Sequence, residues 1–165
     1  MTRDLDKLCT PPDVLMLVRK VGTIGFDPFP CAYSVTNPTA SAFEGFDAWA
    51  GESWLNAVGP GEVLFCNPPY SRGNLPRFAH FWAAEQFADT HGIALLPSRT
   101  GANWFAVMAA TSKAMAFWQG RIVFWLDGKP MPGGGRFDSV LFYSGPRPHL
   151  FADVFAPVAR VVMLP

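Results

Sequence analysis

A chain of 165 residues, 50% hydrophobic and 16% charged, carries enough apolar matter for one substantial core, which excludes a disordered protein. Its 13 Lys and Arg balance 13 Asp and Glu, so no global positive field holds nucleic acid, and any such contact must be local or supplied by a partner. No basic start precedes a long apolar stretch, and no window approaches the roughly 18 apolar residues of a membrane span, so a cytoplasmic protein with no membrane partner is expected.

In chain order, Thr10-Pro11-Pro12-Asp13 reads as a helix start, with Thr10 as N-cap and proline in the first turn, ahead of Val14, Leu15, Leu17 and Val18. Thr23 to Asp27 reads as a short buried strand, stopped by Pro28, which has no N–H for a ladder. Residues 29–61 are rich in Pro, Gly, Ser and Thr, with one loose helical pattern from Phe43 to Leu55. Glu62 to Asn67 is the second predicted strand. From Pro76 to Thr90, Phe78, Phe81, Trp82 and Phe87 recur at three- and four-residue spacing, the pattern of an amphipathic helix packed on a sheet. Ile93 to Leu96 is a third strand, Asn103 to Ala110 a short helix, Arg121 to Leu126 a fourth strand, Ser139 to Tyr143 a fifth and Arg160 to Leu164 a last one.

Continuously apolar strands alternating with helices predict an α/β fold with a mostly parallel sheet covered on both faces. Residues 127–136 join two predicted strands without a helix, which predicts an antiparallel hairpin at the C-terminal end of that sheet. No repeat and no linker interrupts the pattern, so a single domain over residues 1–165 is expected, with no separate target-recognition domain. Cys9, Cys31 and Cys66 are odd in number and widely spaced, which fits neither a disulfide framework nor a zinc site and points to a reducing compartment. His80, His91 and His149 show no ligand spacing, and no metal is expected.

The chemistry is concentrated in Asn67-Pro68-Pro69-Tyr70, delivered to a loop by the apolar run Val63 to Cys66. Two consecutive prolines fix φ and hold acceptors in a nearly constant array. The Asn67 amide oxygen and the Pro68 carbonyl can each accept one N–H of a planar primary amine, while the Tyr70 ring covers the face of the ring bearing it. Adenine N6 fits that description best. In an open parallel sheet, ligands sit beyond the carboxyl ends of the strands, where Asp27-Pro28 and the tetrapeptide both fall, so the two should face one cleft.

At these residues the chain resembles the phage and prophage Dam-like DNA N6-adenine methyltransferases. The resemblance runs from about residue 8 to 146 and includes Thr10-Pro11, Asp27-Pro28, Asn67-Pro68-Pro69-Tyr70-Ser71, Leu95 to Thr100, Asn103-Trp104-Phe105, Gly120 to Phe124 and Phe137 to Val140, with Asp47 and Trp54 matching less closely. It implies a Rossmann-like class I methyltransferase that uses S-adenosylmethionine and acts on DNA in a bacterial host's cytoplasm to protect or mark that DNA, with a homodimer as a possible assembly. Asn67, Pro68, Pro69 and Tyr70 would be catalytic, and Thr10, Pro11, Asp27, Pro28 and Asp47 would lie against the cofactor. The chain departs from the pattern at Phe29-Pro30-Cys31, where small residues are expected.

Arg99 and Arg121 near strand ends could touch phosphate or form surface ion pairs, and Trp104 could stack on a base or pack a helix. Gly133-Gly134-Gly135-Arg136 could approach a phosphate backbone or form a mobile hairpin tip. Two alternatives remain beside the main reading. One is methylation of RNA or of a protein glutamine amide, since the same tetrapeptide serves those reactions. The other is a catalytically degenerate nucleic-acid-binding module.

Overall fold

The computed structural model describes residues 5–36 and 46–165. Three strands form one end of its sheet: β1 (Ile24–Phe26), β2 (Val63–Cys66) and β3 (His91–Pro97) run parallel, and every residue in them is buried. Burial on both faces explains their continuous apolar sequence, with Val63, Leu64 and Phe65 at 0% exposure. Beyond β3 the sheet changes direction. Strand β7 (Ser139–Ser144) pairs antiparallel with β3, β4 (Ala114–Trp118) pairs antiparallel with β7, and the edge strand β8 (Ala159–Met163) pairs antiparallel with β4. The spatial order is β1-β2-β3-β7-β4-β8.

The fold is therefore α/β with a mixed sheet, parallel at one end, rather than the mostly parallel sheet expected. The expected strand Arg121–Leu126 is absent from the sheet. Its place beside β7 is taken by β4, whose Ala-Met-Ala start reads as a continuation of the preceding helix because neither residue favours strands. Of the predicted segment only β5 (Trp125–Leu126) is extended, paired with β6 (Lys129–Pro130) in a separate two-stranded ribbon.

Four helices cover the sheet. Helix α1 (Pro12–Val21) buries Val14, Leu15, Val18 and Val21, and its N-cap is Pro11, with no side-chain cap, so Thr10 does not play the capping part expected of it. Helix α2 (Asn74–Ala84) starts two residues before the predicted Pro76, behind Gly73 at φ 91°, a left-handed conformation that glycine adopts without strain. It ends well before Thr90, because Glu85 is drawn out of helical geometry to receive the Ser53 hydroxyl and the Trp54 N–H. Helix α3 (Asn103–Thr111) matches expectation. Helix α4 (Pro148–Phe155), not expected, buries Phe151 and Phe155 one turn apart. The expected helical stretch Phe43–Leu55 falls partly outside the described residues, and its described end holds only a 3₁₀ turn at Trp54–Ala57.

Cys9 and Cys31 are joined by a disulfide, their Cα atoms 5.7 Å apart, and Cys66 is free and buried. This overturns the expectation of three unbridged cysteines and removes the support they lent to a reducing compartment. Sequence spacing was no guide, because the fold returns the chain after β1 to the segment that precedes α1. No helix among the described residues is long and apolar enough to cross a membrane.

Packing is close where Phe87 and Trp82 cover β3 at Gly92. A methyl group on Gly92 would overlap the Phe87 ring and lie 2.8 Å from Trp82 Cη2. Replacing Gly92 by Ala should therefore lower unfolding stability by about 1–3 kcal/mol, the range for an overpacked core. A thermal melt of the variant that coincides with the parent's would show that Phe87 can swing clear.

Candidate active site

The carboxyl ends of β1 and β2 lie side by side, and the residues that follow them meet. Asp27, directly after β1, and Asn67, directly after β2, line one recess together with Leu8, Thr10, Phe29 and Thr36. The recess holds about 10 Å³, room for a single water. The Cys9–Cys31 bridge forms part of its wall.

The N-terminal segment is strapped over the tetrapeptide loop. Asn67 Nδ2 donates to the Leu8 carbonyl at 3.0 Å, the Ser71 N–H donates to Asp6 Oδ1 at 2.8 Å, and Cys9 exchanges two backbone hydrogen bonds with Trp125. Beneath Asn67, the Tyr70 hydroxyl lies 2.7 Å from Asn67 Oδ1 and 2.8 Å from the Leu95 carbonyl of β3. Both neighbours are acceptors, yet a hydroxyl carries one proton, so that proton is shared. The site is one donor short. The Pro68 carbonyl also accepts no hydrogen bond among the described residues.

Tyr70 is 4% exposed, its ring edge-on to Phe124 and Phe137. In this conformation it anchors Asn67 and presents no open face to a base. Burial pushes its phenol well above the usual range, so it acts as a neutral hydrogen-bond donor.

Asp27 is 2% exposed, and desolvation raises its pKa from 3.8 to about 7. The Phe29 N–H at 3.0 Å and the Thr36 side chain pull it back toward the charged form without prevailing. Pro28 is buried behind it. Phe29, which stands where a small residue was expected, turns its ring into an aromatic cluster with Trp49, Trp54 and Phe78.

That cluster supports a second, larger cavity at the end of β1, about 420 Å³, with Phe26, Phe46 and Trp54 as apolar walls and Asp47, Glu52, Ser53 and Asn56 as polar lining. Trp54 is fixed by its indole N–H to the Ala48 carbonyl at 3.0 Å and by stacking on Phe78 and Phe81. Asp47 is exposed, and one of its oxygens accepts the Trp49 N–H at 2.8 Å.

Thr10, Asp27 and Asn67 are thus brought together, with Asp47 in the neighbouring cavity. Pro11 faces elsewhere, into a groove with Trp118 and Arg121. Among the expected nucleic-acid contacts, Trp104 is buried in the core against Phe105, Arg99 is exposed at the end of β3, and Arg121 is exposed with its Nε 3.3 Å from Asp138 Oδ1. Sequence reasoning missed Leu8 and Thr36, whose parts depend on one backbone carbonyl and one hydroxyl that no spacing reveals. Among the described residues no cluster of His, Cys, Asp or Glu could hold a metal ion.

Because the folded protein holds the Asp27 proton to a higher pH than the unfolded chain does, Asp27 makes stability fall as pH rises from about 4 to about 7, with no further slope above that. Asp27→Asn should flatten that decline. Denaturant unfolding near pH 5 and near pH 8 measures it, and parallel profiles for parent and variant would mean that Asp27 ionises freely in the fold.

Comparison with protein-family models, with curated proteins and with solved structures finds no match to this chain.

Proposed function

We propose that the protein is an S-adenosylmethionine-dependent N6-adenine methyltransferase acting on DNA. The observation that carries this reading is the donor deficit at Asn67: two acceptors share the single Tyr70 proton, and the carbonyl of the next residue, Pro68, accepts no hydrogen bond among the described residues. A planar amine supplies two N–H donors. One directed at Asn67 Oδ1 would release the Tyr70 proton wholly to Leu95, and the other would meet the Pro68 carbonyl.

The amine lone pair of adenine is delocalised into the ring and attacks poorly. Acceptors on both N–H groups favour pyramidalisation, so the hydrogen bonds that Asn67 and Pro68 would accept strengthen as the transition state forms, which is the condition for a rate effect. Tyr70 contributes by holding Asn67, and stacking of its ring on the base requires Phe137 to move aside. The Leu8 carbonyl fixes the other side of the amide, so that Oδ1 and not Nδ2 faces the substrate.

The cofactor fits in part. The 420 Å³ cavity suits a nucleoside, with Phe26 and Trp54 for the base and Asp47, Ser53 and Asn56 for hydroxyl groups. The recess beside Asp27 must widen to admit the methionyl end. When bound, the cofactor supplies an electrophilic methyl on a sulfonium. Asp27 lines the recess as a carboxyl whose ionised form a neighbouring cation would favour. The reading extends to the fold, which we assign to the Rossmann-like class I methyltransferases because the parallel strands present Asp27 and Asn67 from adjacent carboxyl ends.

One observation favours a second reading, a degenerate nucleic-acid-binding module: the bridged recess is too small for the cofactor as it stands. Incubation with methyl-labelled S-adenosylmethionine and unmethylated DNA, followed by nucleoside analysis, separates the two. N6-methyladenine is expected, and label in RNA or in glutamine would redirect the substrate. Absence of both transfer and cofactor binding in folded protein would leave the binding module.

Asn67→Ala should reduce transfer by about 100-fold or more while cofactor affinity changes little, as for loss of a donor or acceptor used in the transition state. Tyr70→Phe keeps the ring and removes the tether, so a fall of about tenfold in kcat is expected. Equal turnover of that variant and the parent would free Tyr70 from any positioning part.

A further inference from the structure

Two grooves lie side by side on the same edge of the sheet as the recess. One, about 430 Å³, is lined by Pro11, Trp118, Arg121, Ile122, Trp125 and Pro130 among others. The second, about 590 Å³, is lined by Phe117, Trp118, Gln119, Arg121, Asp138 and Arg160. Trp118 and Arg121 belong to both, so together they form one continuous trough at the end of β4.

The trough adjoins the recess through a common wall. Thr10 lines the recess and Pro11 the trough, while Cys9, in the recess wall, is hydrogen-bonded to Trp125 of the trough.

The lining has the chemistry of a nucleic-acid strand site. Trp118 and Trp125 are half-buried and line the trough, aromatic side chains of the kind on which bases stack. Asp138 engages only Nε of Arg121, which leaves the two Nη groups free as donors. Arg160 is exposed and has no partner among the described residues. The two carboxylates nearby are committed: Asp138 to Arg121, and Asp13 to the N–H of Val14 in the first turn of α1. Two arginines and two carboxylates line the trough, so its formal charge is balanced, and the cationic donors left uncommitted are those of Arg160 and the Nη groups of Arg121.

The glycine-rich loop gives this cation a fixed base. A side chain at Gly135 would overlap Arg121 Cβ and lie 2.7 Å from the Ile122 carbonyl, so the loop packs directly on the backbone that carries Arg121. Gly133 and Gly134, at φ 84° and 79°, make the turn that brings it there.

We propose that this trough binds single-stranded nucleic acid next to the target base, with a flanking base on Trp118 and backbone phosphates on Arg121 and Arg160. The proposal rests on the methyltransferase reading for its substrate but is tested apart from it. A fluorescently labelled single-stranded DNA oligonucleotide of about ten nucleotides, spanning one such site, is titrated with the parent and with the double variant Arg121→Glu/Arg160→Glu, at several salt concentrations, with an RNA oligonucleotide of the same sequence as comparison. Both variant positions are exposed, so the fold is retained, and a circular-dichroism melt verifies it.

The variant should bind at least about tenfold more weakly, and the slope of log affinity against log salt should fall by about 1.4, the value for two lost phosphate contacts on a single strand. In transfer assays its KM for DNA should rise while its cofactor affinity stays at the parent's. Equal affinity and equal salt slope in parent and variant would overturn the proposal, even if methyl transfer to DNA is found. Weakened binding with no transfer by either protein would uphold the trough and sink the methyltransferase reading. Preference for a peptide over both oligonucleotides would overturn the nucleic-acid assignment.

Discussion

A single proton, that of the Tyr70 hydroxyl, fastens the loop after β2 to the sheet. It stands between Asn67 Oδ1 and the Leu95 carbonyl and cannot fully satisfy both. Burial makes this shortage matter, since an acceptor without a donor in a dry site costs about 1–3 kcal/mol. The double proline allows the arrangement by holding Asn67 and Tyr70 three residues apart in a turn that has little freedom to relax. The protein alone therefore leaves this network incomplete, and on the methyltransferase reading proposed above an incoming N–H would complete it and discriminate against ligands that lack the donor.

The same edge of the sheet gathers the other features. Strands β1, β2, β3 and β4 all end there, bringing Asp27, Asn67, Arg99 and Trp118 to one side of the molecule, while His91 and Tyr143 lie at the opposite end. There the Tyr143 hydroxyl accepts the Arg147 N–H at 2.9 Å and is hydrogen-bonded to His91 Nδ1 at 2.8 Å. Burial lowers the pKa of His91, which fits a neutral packing residue rather than a proton carrier.

How much of this was legible in the sequence depended on whether a signal was local. Val63 to Cys66 and Ile93 to Leu96 announced buried strands because both of their faces are covered, and the convergence of Asp27 with Asn67 followed from where such strands end. Strand β4 was hidden because Ala114-Met115-Ala116 has the composition of a helix and becomes a strand only through pairing with β7 and β8. Helix α4 carries a local signal, proline at its start with Phe151 and Phe155 one turn apart, but it is only two turns long and so gives too short a pattern to stand out. The disulfide, the Leu8 carbonyl on Asn67 and the burial of Tyr70 depend on segments far apart in the chain, and no pattern within either segment encodes such a meeting.

The Cys9–Cys31 bridge closes a loop that contains all of α1 and β1. For a sequence separation of 22, such a cross-link is worth about 3 kcal/mol through the entropy it takes from the unfolded chain. Strand β1 is three residues long and pairs on one side only, so it has little else to hold it. In a reducing environment this margin is withdrawn from the segment that carries Thr10 and Asp27, while Asn67 and Tyr70 keep their anchorage on β3. The two halves of the site then have separate lifetimes: the amides of β1 would exchange with solvent through brief local openings, and those of β2 and β3 only when the whole domain unfolds.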